Sequence, residues 1–402
     1  MELFALFAFA FVLPLLEAPK NLLWLVYSGL WIANRWRARN FGPAPDAWDG
    51  LIAVWIASGY FSAAFAGLHH QEWISAFDLL RYGSILLFLK RAGYDEGVLR
   101  RLLFFLVSGT LIGLAWGYYG LRVTGARSTL GLNSVGHVNH SAIYVAIVFG
   151  IALAWVRESW LTVTSSRHAA GLTVCLALAF SLAVMESRAA VGAAFVIVLF
   201  VLGARSVRKG KATWPVLVGA LAIGAALLAA KPEVVRKNSM LLDKSNFLAY
   251  RDAVWRTGLE GLREFPLFGV GMGNYSYVNF ERIEEWRRAR GEPLDRTTLR
   301  LQAHAHSLYI NTLAERGLAG FAVLMAVLGA WAWTLVRDWP PSGSSPVRWT
   351  YWSGALAAWL VAVLVGIVNT TLHHEHALLS TMLLGGWLSL RRVRPPSIAT
   401  GI

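Results

Sequence analysis

Cysteine is almost absent from this chain. Its one thiol, Cys175, falls inside an apolar run, so no intrachain disulfide can form and cysteine usage leaves the redox compartment open. Charge is scarce as well: 15% of the 402 residues are charged against 56% hydrophobic, and the mean hydropathy is +0.50. That balance excludes a disordered chain and an ordinary water-soluble domain, and it leaves an integral membrane protein. Acids are the scarcer charge, 23 against 37 Lys and Arg, for a net charge of +14. No stretch interleaves basic and aromatic residues in the manner of a nucleic-acid surface, so no nucleic acid is expected as a partner. A basic segment is also missing ahead of the first apolar run, which starts directly after Met1-Glu2. The expectation is therefore a first helix that stays in place, not a cleaved signal peptide.

What is present is a series of apolar runs, at roughly 3–17, 20–34, 50–66, 76–90, 98–117, 139–156, 169–185, 189–204, 214–230, 306–336, 350–370 and 376–391. Each is about long enough to cross a ~30 Å hydrocarbon core as a helix. The reading is an all-α membrane protein of about twelve transmembrane helices with one large, partly helical loop. Residues 1–230 carry spans one to nine, 231–305 the loop, 306–392 spans ten to twelve, and 393–402 a tail. Orientation follows from the connections. One set of loops, with both tails, carries eighteen Lys and Arg; the short loops of the other set carry four, Lys20, Arg122, Arg127 and Arg188. The positive-inside bias puts both termini in the cytoplasm and the 231–305 loop outside, and it accounts for most of the net charge.

The loop holds thirteen Lys and Arg between Lys231 and Arg300, among ten acids. Residues 249–265 read as a helix with Trp255, Leu259 and Leu262 on one stripe, and 280–290 as a charged surface helix with Glu284 and Arg288 four apart. Between them, Gly269-x-Gly271-x-Gly273 reads as a tight turn, with a phosphate cradle of backbone N–H groups as the weaker alternative. The tenth run, 306–336, is 31 residues, about 46 Å of helix and too long for the core, so it must project or break, with Gly317 the expected break. Three further features face outward: Arg188 in the turn after the seventh run, His137-Val138-Asn139-His140, and His373-His374-Glu375-His376. The last looks like a metal cluster, but adjacent histidines do not converge easily, and contact with an acceptor or a lipid phosphate is the preferred reading. Asp78 and Arg81, three apart within a span, read as a structural ion pair. Each of these residues alone has a bland explanation: helix-end cations for Arg188 and Arg251, capping or core histidines for His304 and His306.

Four segments in order change that balance: Ser187-Arg188-Ala189; Arg251-x-x-x-Trp255; Pro266-Leu267-Phe268-Gly269-Val270-Gly271-x-Gly273-Asn274; and His304-Ala305-His306-Ser307-Leu308-Tyr309-Ile310-Asn311, continuing to Ala314-Glu315-Arg316-Gly317. Together they resemble the O-antigen ligase and O-antigen polymerase superfamily, bacterial inner-membrane glycosyltransferases of the GT-C type. Ser307 stands where the family usually has Asn, and Asn311 where it usually has Gln. The resemblance implies an inverting transfer, without cofactor or metal, from a glycan on undecaprenyl diphosphate to a hydroxyl of lipid A–core oligosaccharide on the periplasmic face. Arg188 and Arg251 take the diphosphate, and His306 is the base with His304 as its understudy. Arg256, Arg122, Tyr309, Asn311, His373 and His374 are the candidate substrate contacts. The expected partners are the lipid-linked glycan, lipid A–core and membrane lipids, with the protein acting as a monomer.

The chemistry is consistent with those residue types. A diphosphate leaves well if cations and hydrogen bonds receive it, and arginine grips phosphate oxygens while staying charged. A sugar hydroxyl needs a base with a pKa near neutrality, which histidine supplies. The rivals are an O-antigen polymerase, with a second lipid-linked glycan as acceptor, and a protein O-oligosaccharyltransferase. A transporter, the rival of a different class, would show inverted repeats and midplane charges, and only Asp78 and Arg81 hint at that.

Overall fold

The computed structural model describes residues 1–159, 165–208, 250–341 and 343–391. Among the described residues eight helices precede the loop: α1 (Glu2–Val12), α2 (Glu17–Ala38), α3 (Ala47–Ala64), α4 (Glu72–Arg91), α5 (Glu96–Arg122), α6 (Val138–Ser159), α7 (Ser165–Val184) and α8 (Arg188–Arg208). The loop contributes α9 (Arg251–Glu264) and α10 (Phe280–Ala289), and α11 (Leu308–Arg337), α12 (Pro346–Leu364) and α13 (His374–Leu390) complete the bundle. No strand occurs among the described residues. Helices stand at eleven of the twelve expected runs; the other, 214–230, lies outside the described residues. Within the described residues α5, α6, α11 and α12 are each long and apolar enough to cross a membrane. In hydrocarbon every backbone N–H and C=O needs a partner within the chain, which is why apolar segments of this length become helices.

Side-chain chemistry sets several helix starts. Asp46 and Asp49 form a reciprocal capping box on α3. Asp95, Asn279 and Ser345 cap α5, α10 and α12, the last with a proline in the first turn. The bundle is built by α12 packing on α6 and α13, α13 on α4, α4 on α3, and α3 on α11. Polar tips of buried aromatics find backbone partners across these seams: Tyr351 donates to Leu99 O at 3.0 Å and Trp352 to Leu335 O at 2.9 Å.

The break expected in the tenth run is real. At Gly317 the backbone of α11 turns to φ 61° and ψ −165°, a region open almost solely to glycine. Opening the helix there frees backbone groups, and the Pro266–Asn274 turn takes them. Val270 N donates to Ala314 O and Gly271 N to Glu315 O, both at 2.9 Å, while Leu318 N donates to Pro266 O at 2.8 Å and Ala319 N to Leu267 O at 3.1 Å. The fit leaves no room for side chains: a Cβ on Gly269 would sit 2.5 Å from Ala314 O, and one on Gly317 2.4 Å from Leu267 O.

The rest of the loop docks on this joint. Glu260 of α9, buried, binds Arg287 at 2.7 Å and Arg290 at 2.8 Å, tying α9 to α10. Val270, Val278, Ile283 and Trp286 form a small core that includes Leu68 from the α3–α4 connection. Glu284 and Arg288 pair at 3.1 Å on the exposed face of α10, as their spacing predicts.

Candidate active site

Three chain segments far apart in sequence meet where the loop covers the bundle. Arg188 opens α8, Arg251 opens α9, and His306 stands two residues ahead of α11. Arg188 is close enough to Arg251 to add to the effect of burial in lowering the Arg251 pKa. His306 is pushed down to about 4, mainly by burial and then by His304, Arg251 and His137. Both causes penalise the imidazolium, so at neutral pH the ring is uncharged and able to accept a proton. His304 is lowered too, by burial first and His137 second. The His304 and His306 rings lie 4.2 Å apart.

The backbone is held out of its comfortable regions at these same places. Among the described residues six non-glycine residues have positive φ, and five flank or form this site: Glu186 (55°), Tyr250 (62°), His306 (49°), Leu372 (52°) and His374 (46°). Such a residue costs on the order of 1–3 kcal/mol and persists only where its surroundings over-determine it. Tyr250 directly precedes Arg251, and Glu186 stands two residues before Arg188, so each arginine follows a strained turn at a helix start.

The positioning contacts of the His segment are polar and short-range. Ser307 caps α11 by accepting from Ile310 N, and its hydroxyl lies 3.3 Å from Gly366 O. Asn311 Oδ1 accepts from Ala305 N at 3.0 Å, which fixes the residue between the two histidines. Tyr309 donates to Val363 O at 3.0 Å and so binds α11 to the end of α12. Asn311 and Tyr309, expected as substrate contacts, thus hold protein groups, although Asn311 also lines the cavity described below.

Histidine clustering goes further than the sequence suggested. His140, at the start of α6, has its ring 6.1 Å from His304, 6.0 Å from His374 and 5.3 Å from His376, and His373 and His374 lie 3.7 Å apart. His373 is pushed down to about 3, by burial first and then by His140, His304 and Arg81. Among the described residues no group of three His, Cys, Asp or Glu is arranged to hold a metal ion. Glu375, within the same motif, pairs with buried Lys20, whose Nζ also lies 2.5 Å from Glu17 and 3.2 Å from Ser134 Oγ. This network fastens the start of α13 to α2 and sets the position of His373 and His374.

A cavity of about 360 Å³ opens on the His304 side of the histidine pair. Its walls include Asp78 and Ser75 of α4, His140, Arg316 of α11, and residues 370–374. Asp78 and Arg81 form the expected pair at 2.6 Å, but Asp78 also lines this cavity, which the spacing did not reveal. A larger hollow of about 740 Å³ lies elsewhere on the loop, among Glu284, Arg288 and Arg296. Its charged walls are already ion-paired with each other and none of its lining is histidine, so the smaller cavity is the functional candidate. Arg122 and Arg256 are exposed and line neither.

The bonding of the glycine-rich segment supports the tight turn over the phosphate cradle. The N–H groups of Gly269, Val270, Gly271 and Asn274 all donate to protein carbonyls, so they have none to offer an anion. The turn is a wedge in the α11 break.

Comparison with known families adds one finding to this geometry. Residues 172–325 match the family model described as O-antigen ligase. This span is similar to the domain of the O-antigen ligase superfamily. The ligase match contains Arg188, Arg251, His304 and His306, and it ends inside α11; Asp78, His140, His373 and His374 lie outside it. No curated protein matches the chain.

Proposed function

We propose that the protein is an O-antigen ligase of the bacterial inner membrane. It transfers O-antigen polysaccharide from undecaprenyl diphosphate to lipid A–core oligosaccharide, on a GT-C-type bundle of twelve spans with both termini cytoplasmic and the site facing the periplasm. The observation that carries this reading is the meeting of Arg188, Arg251 and His306 from three separate segments of the matched domain.

The chemistry runs as a single displacement. An acceptor hydroxyl attacks the anomeric carbon of the donor glycan. The new C–O bond forms as the bond from that carbon to the diphosphate oxygen breaks, and the configuration inverts. The hydroxyl proton passes to the His306 imidazole, and the negative charge leaving with undecaprenyl diphosphate meets the two guanidiniums. The same pair couples donor binding to base strength. With the site empty of donor, Arg251 disfavours a positive charge on His306; a bound diphosphate cancels that field, so the imidazole becomes a better proton acceptor once a donor is in place. No step in this scheme calls for a metal.

The lipopolysaccharide of a deletion strain tests the assignment. Loss of the O-antigen ladder with accumulation of long lipid-linked polymer is the ligase outcome. A core bearing a single repeat unit would instead make the protein a polymerase. Unchanged lipopolysaccharide, with a protein losing its glycan, would make it a protein O-oligosaccharyltransferase.

A further inference from the structure

The geometry points to the cavity beside His304 as the subsite for the acceptor's reacting sugar, taken as an uncharged ring. The inference rests on the glycosyl-transfer reading above and extends it to residues that the ligase match does not reach.

Position is the first argument. The two histidine rings, 4.2 Å apart, stand between two unlike regions. His306 shares its surroundings with Arg251, while His304 lines the cavity. An acceptor seated in the cavity would reach the histidine pair through His304, while the arginines lie with His306, so acceptor and diphosphate would occupy different regions.

Unpartnered polar atoms supply the second. Trp55 Nε1, His304 Nε2, Arg316 Nε, Thr370 Oγ1 and His373 Nδ1 are buried, have no hydrogen-bond partner, and belong to residues that line this one cavity. Buried polar atoms in proteins are nearly always bonded, and a cluster of exceptions calls for a partner. The set mixes donors, acceptors and groups that can be either. A ligand that satisfies it must carry several hydroxyls that both donate and accept, as a sugar ring does. The aromatic faces of Trp55 and Tyr82 give the apolar wall that a ring's C–H face needs.

Charge fixes the class of sugar. A carboxylate of the cavity wall already faces a cation of the protein: Asp78 is paired with Arg81 at 2.6 Å. Arg316 donates to Ser58 Oγ at 2.5 Å. A phosphate here would meet the carboxylate of Asp78, and Arg316, with Nη2 given to Ser58, keeps its buried Nε to offer it. The volume of about 360 Å³ is at the small end of ligand sites, enough for one or two sugar rings. Phosphates carried elsewhere on the acceptor would remain outside.

The test uses full-length protein in lipid nanodiscs, with undecaprenyl-diphosphate glycan as donor and lipid A–core as acceptor. Gln71→Ala and Ser276→Leu alter exposed residues at the cavity wall, where folding is least at risk. Each should raise the acceptor KM tenfold or more and leave the donor KM within threefold. A rise confined to the donor KM would give the cavity to the donor, and no change in either would leave it holding water only; both results overturn the inference while leaving the ligase assignment intact. Repeating the measurement with acceptor stripped of its core phosphates tests the uncharged ring. The Ser276→Leu penalty should persist at full size, and its disappearance would show that the cavity reads a phosphate. Failure of the ligase reading itself would show differently, as no transfer to lipid A–core by the unmodified protein.

Discussion

Two neighbouring regions at the loop end of the bundle use polar groups in opposite ways. In the glycine-rich wedge, the donors of Gly269, Val270, Gly271 and Asn274 all have acceptors, and the side chain of Asn274 bonds Leu68 O, Val270 O and Glu72. In the histidine region across the cavity, His304, His373 and His376 keep buried ring nitrogens without partners. Both regions contain positive φ, but the wedge places it on glycines, where it is nearly free, and the histidine region on Tyr250, His306 and His374, where it is strained. The difference separates scaffold from site. A segment whose groups are all satisfied within the chain is built to stay, and one with unsatisfied, strained groups is built to meet something else.

The sharpest way to break that comparison is to remove a group from the site and ask whether the fold notices. His306→Ala should abolish glycan transfer, a loss of at least about 10²–10⁴-fold for a base, with normal expression and membrane insertion. Transfer at the parental rate by that variant would falsify the base assignment. Arg188→Ala and Arg251→Ala should each be comparably damaging to turnover, and lysine at either position should restore little, because it cannot hold a diphosphate through two parallel N–H bonds.

The wedge should answer the opposite way, in stability before activity. Gly317→Ala combines a forbidden backbone region with a Cβ at 2.4 Å from Leu267 O. Its expected cost is on the order of 3 kcal/mol or more, read as a lowered melting temperature in detergent or a failure to insert. Gly329→Ala in the same helix is the control. Nothing lies within 4 Å of its added Cβ, so it should be neutral or stabilise by about 0.5–1 kcal/mol. A matched loss from both substitutions would mean that α11 tolerates no change anywhere and that the wedge has no special role.

How much of this was open to a reader of the sequence depends on range. The helices were legible because membrane spans are long apolar runs, a local signal, and the break at Gly317 because a 31-residue run is too long for the core. Asp78 and Arg81 were legible as a pair from their spacing along one helix. Arg188, Arg251 and His306 were legible only together, in motif order, since each alone is an ordinary helix-end residue. The cavity was not legible at all. Its lining comes from α3, α4, α6, the loop at 272–276, α11 and residues 370–374, brought together by packing that no local pattern encodes. The role of the wedge was half-visible: three alternate glycines announced a turn, but not that the turn threads into a helix broken forty-odd residues later.

A milder probe leaves the chain intact and changes pH. His306, held down to about 4, is neutral at ordinary pH, the state that the proposed base role requires. Since kcat/KM reports the free enzyme, its acid limb should fall near pH 4 to 5, leaving the profile flat from pH 8 to about 5.5. An unperturbed imidazole would place the limb near ~6.5. Removing a neighbouring cation reverses part of the cause, so the residual activity of Arg251→Gln should show a limb shifted toward higher pH. A limb near 6.5 in the parental enzyme would mean that the resting base is not held as described.

The smallest expected effects belong to the two candidate arginines that the fold leaves at the surface. Arg122 and Arg256 are exposed, and neither lines the cavity that His304 borders. Charge at a distance in water is screened over ~10 Å at 0.1 M salt, so each can assist the approach of an anionic donor but not hold it. Arg122→Ala and Arg256→Ala should therefore lower kcat/KM by no more than about threefold, an effect that vanishes as salt is raised and leaves kcat alone. A tenfold loss in kcat from Arg256→Ala would move it into the diphosphate site beside Arg251, five residues earlier and thus more than one helical turn away. The boundary between steering and binding would then have to be drawn along α9 instead of at its first residue.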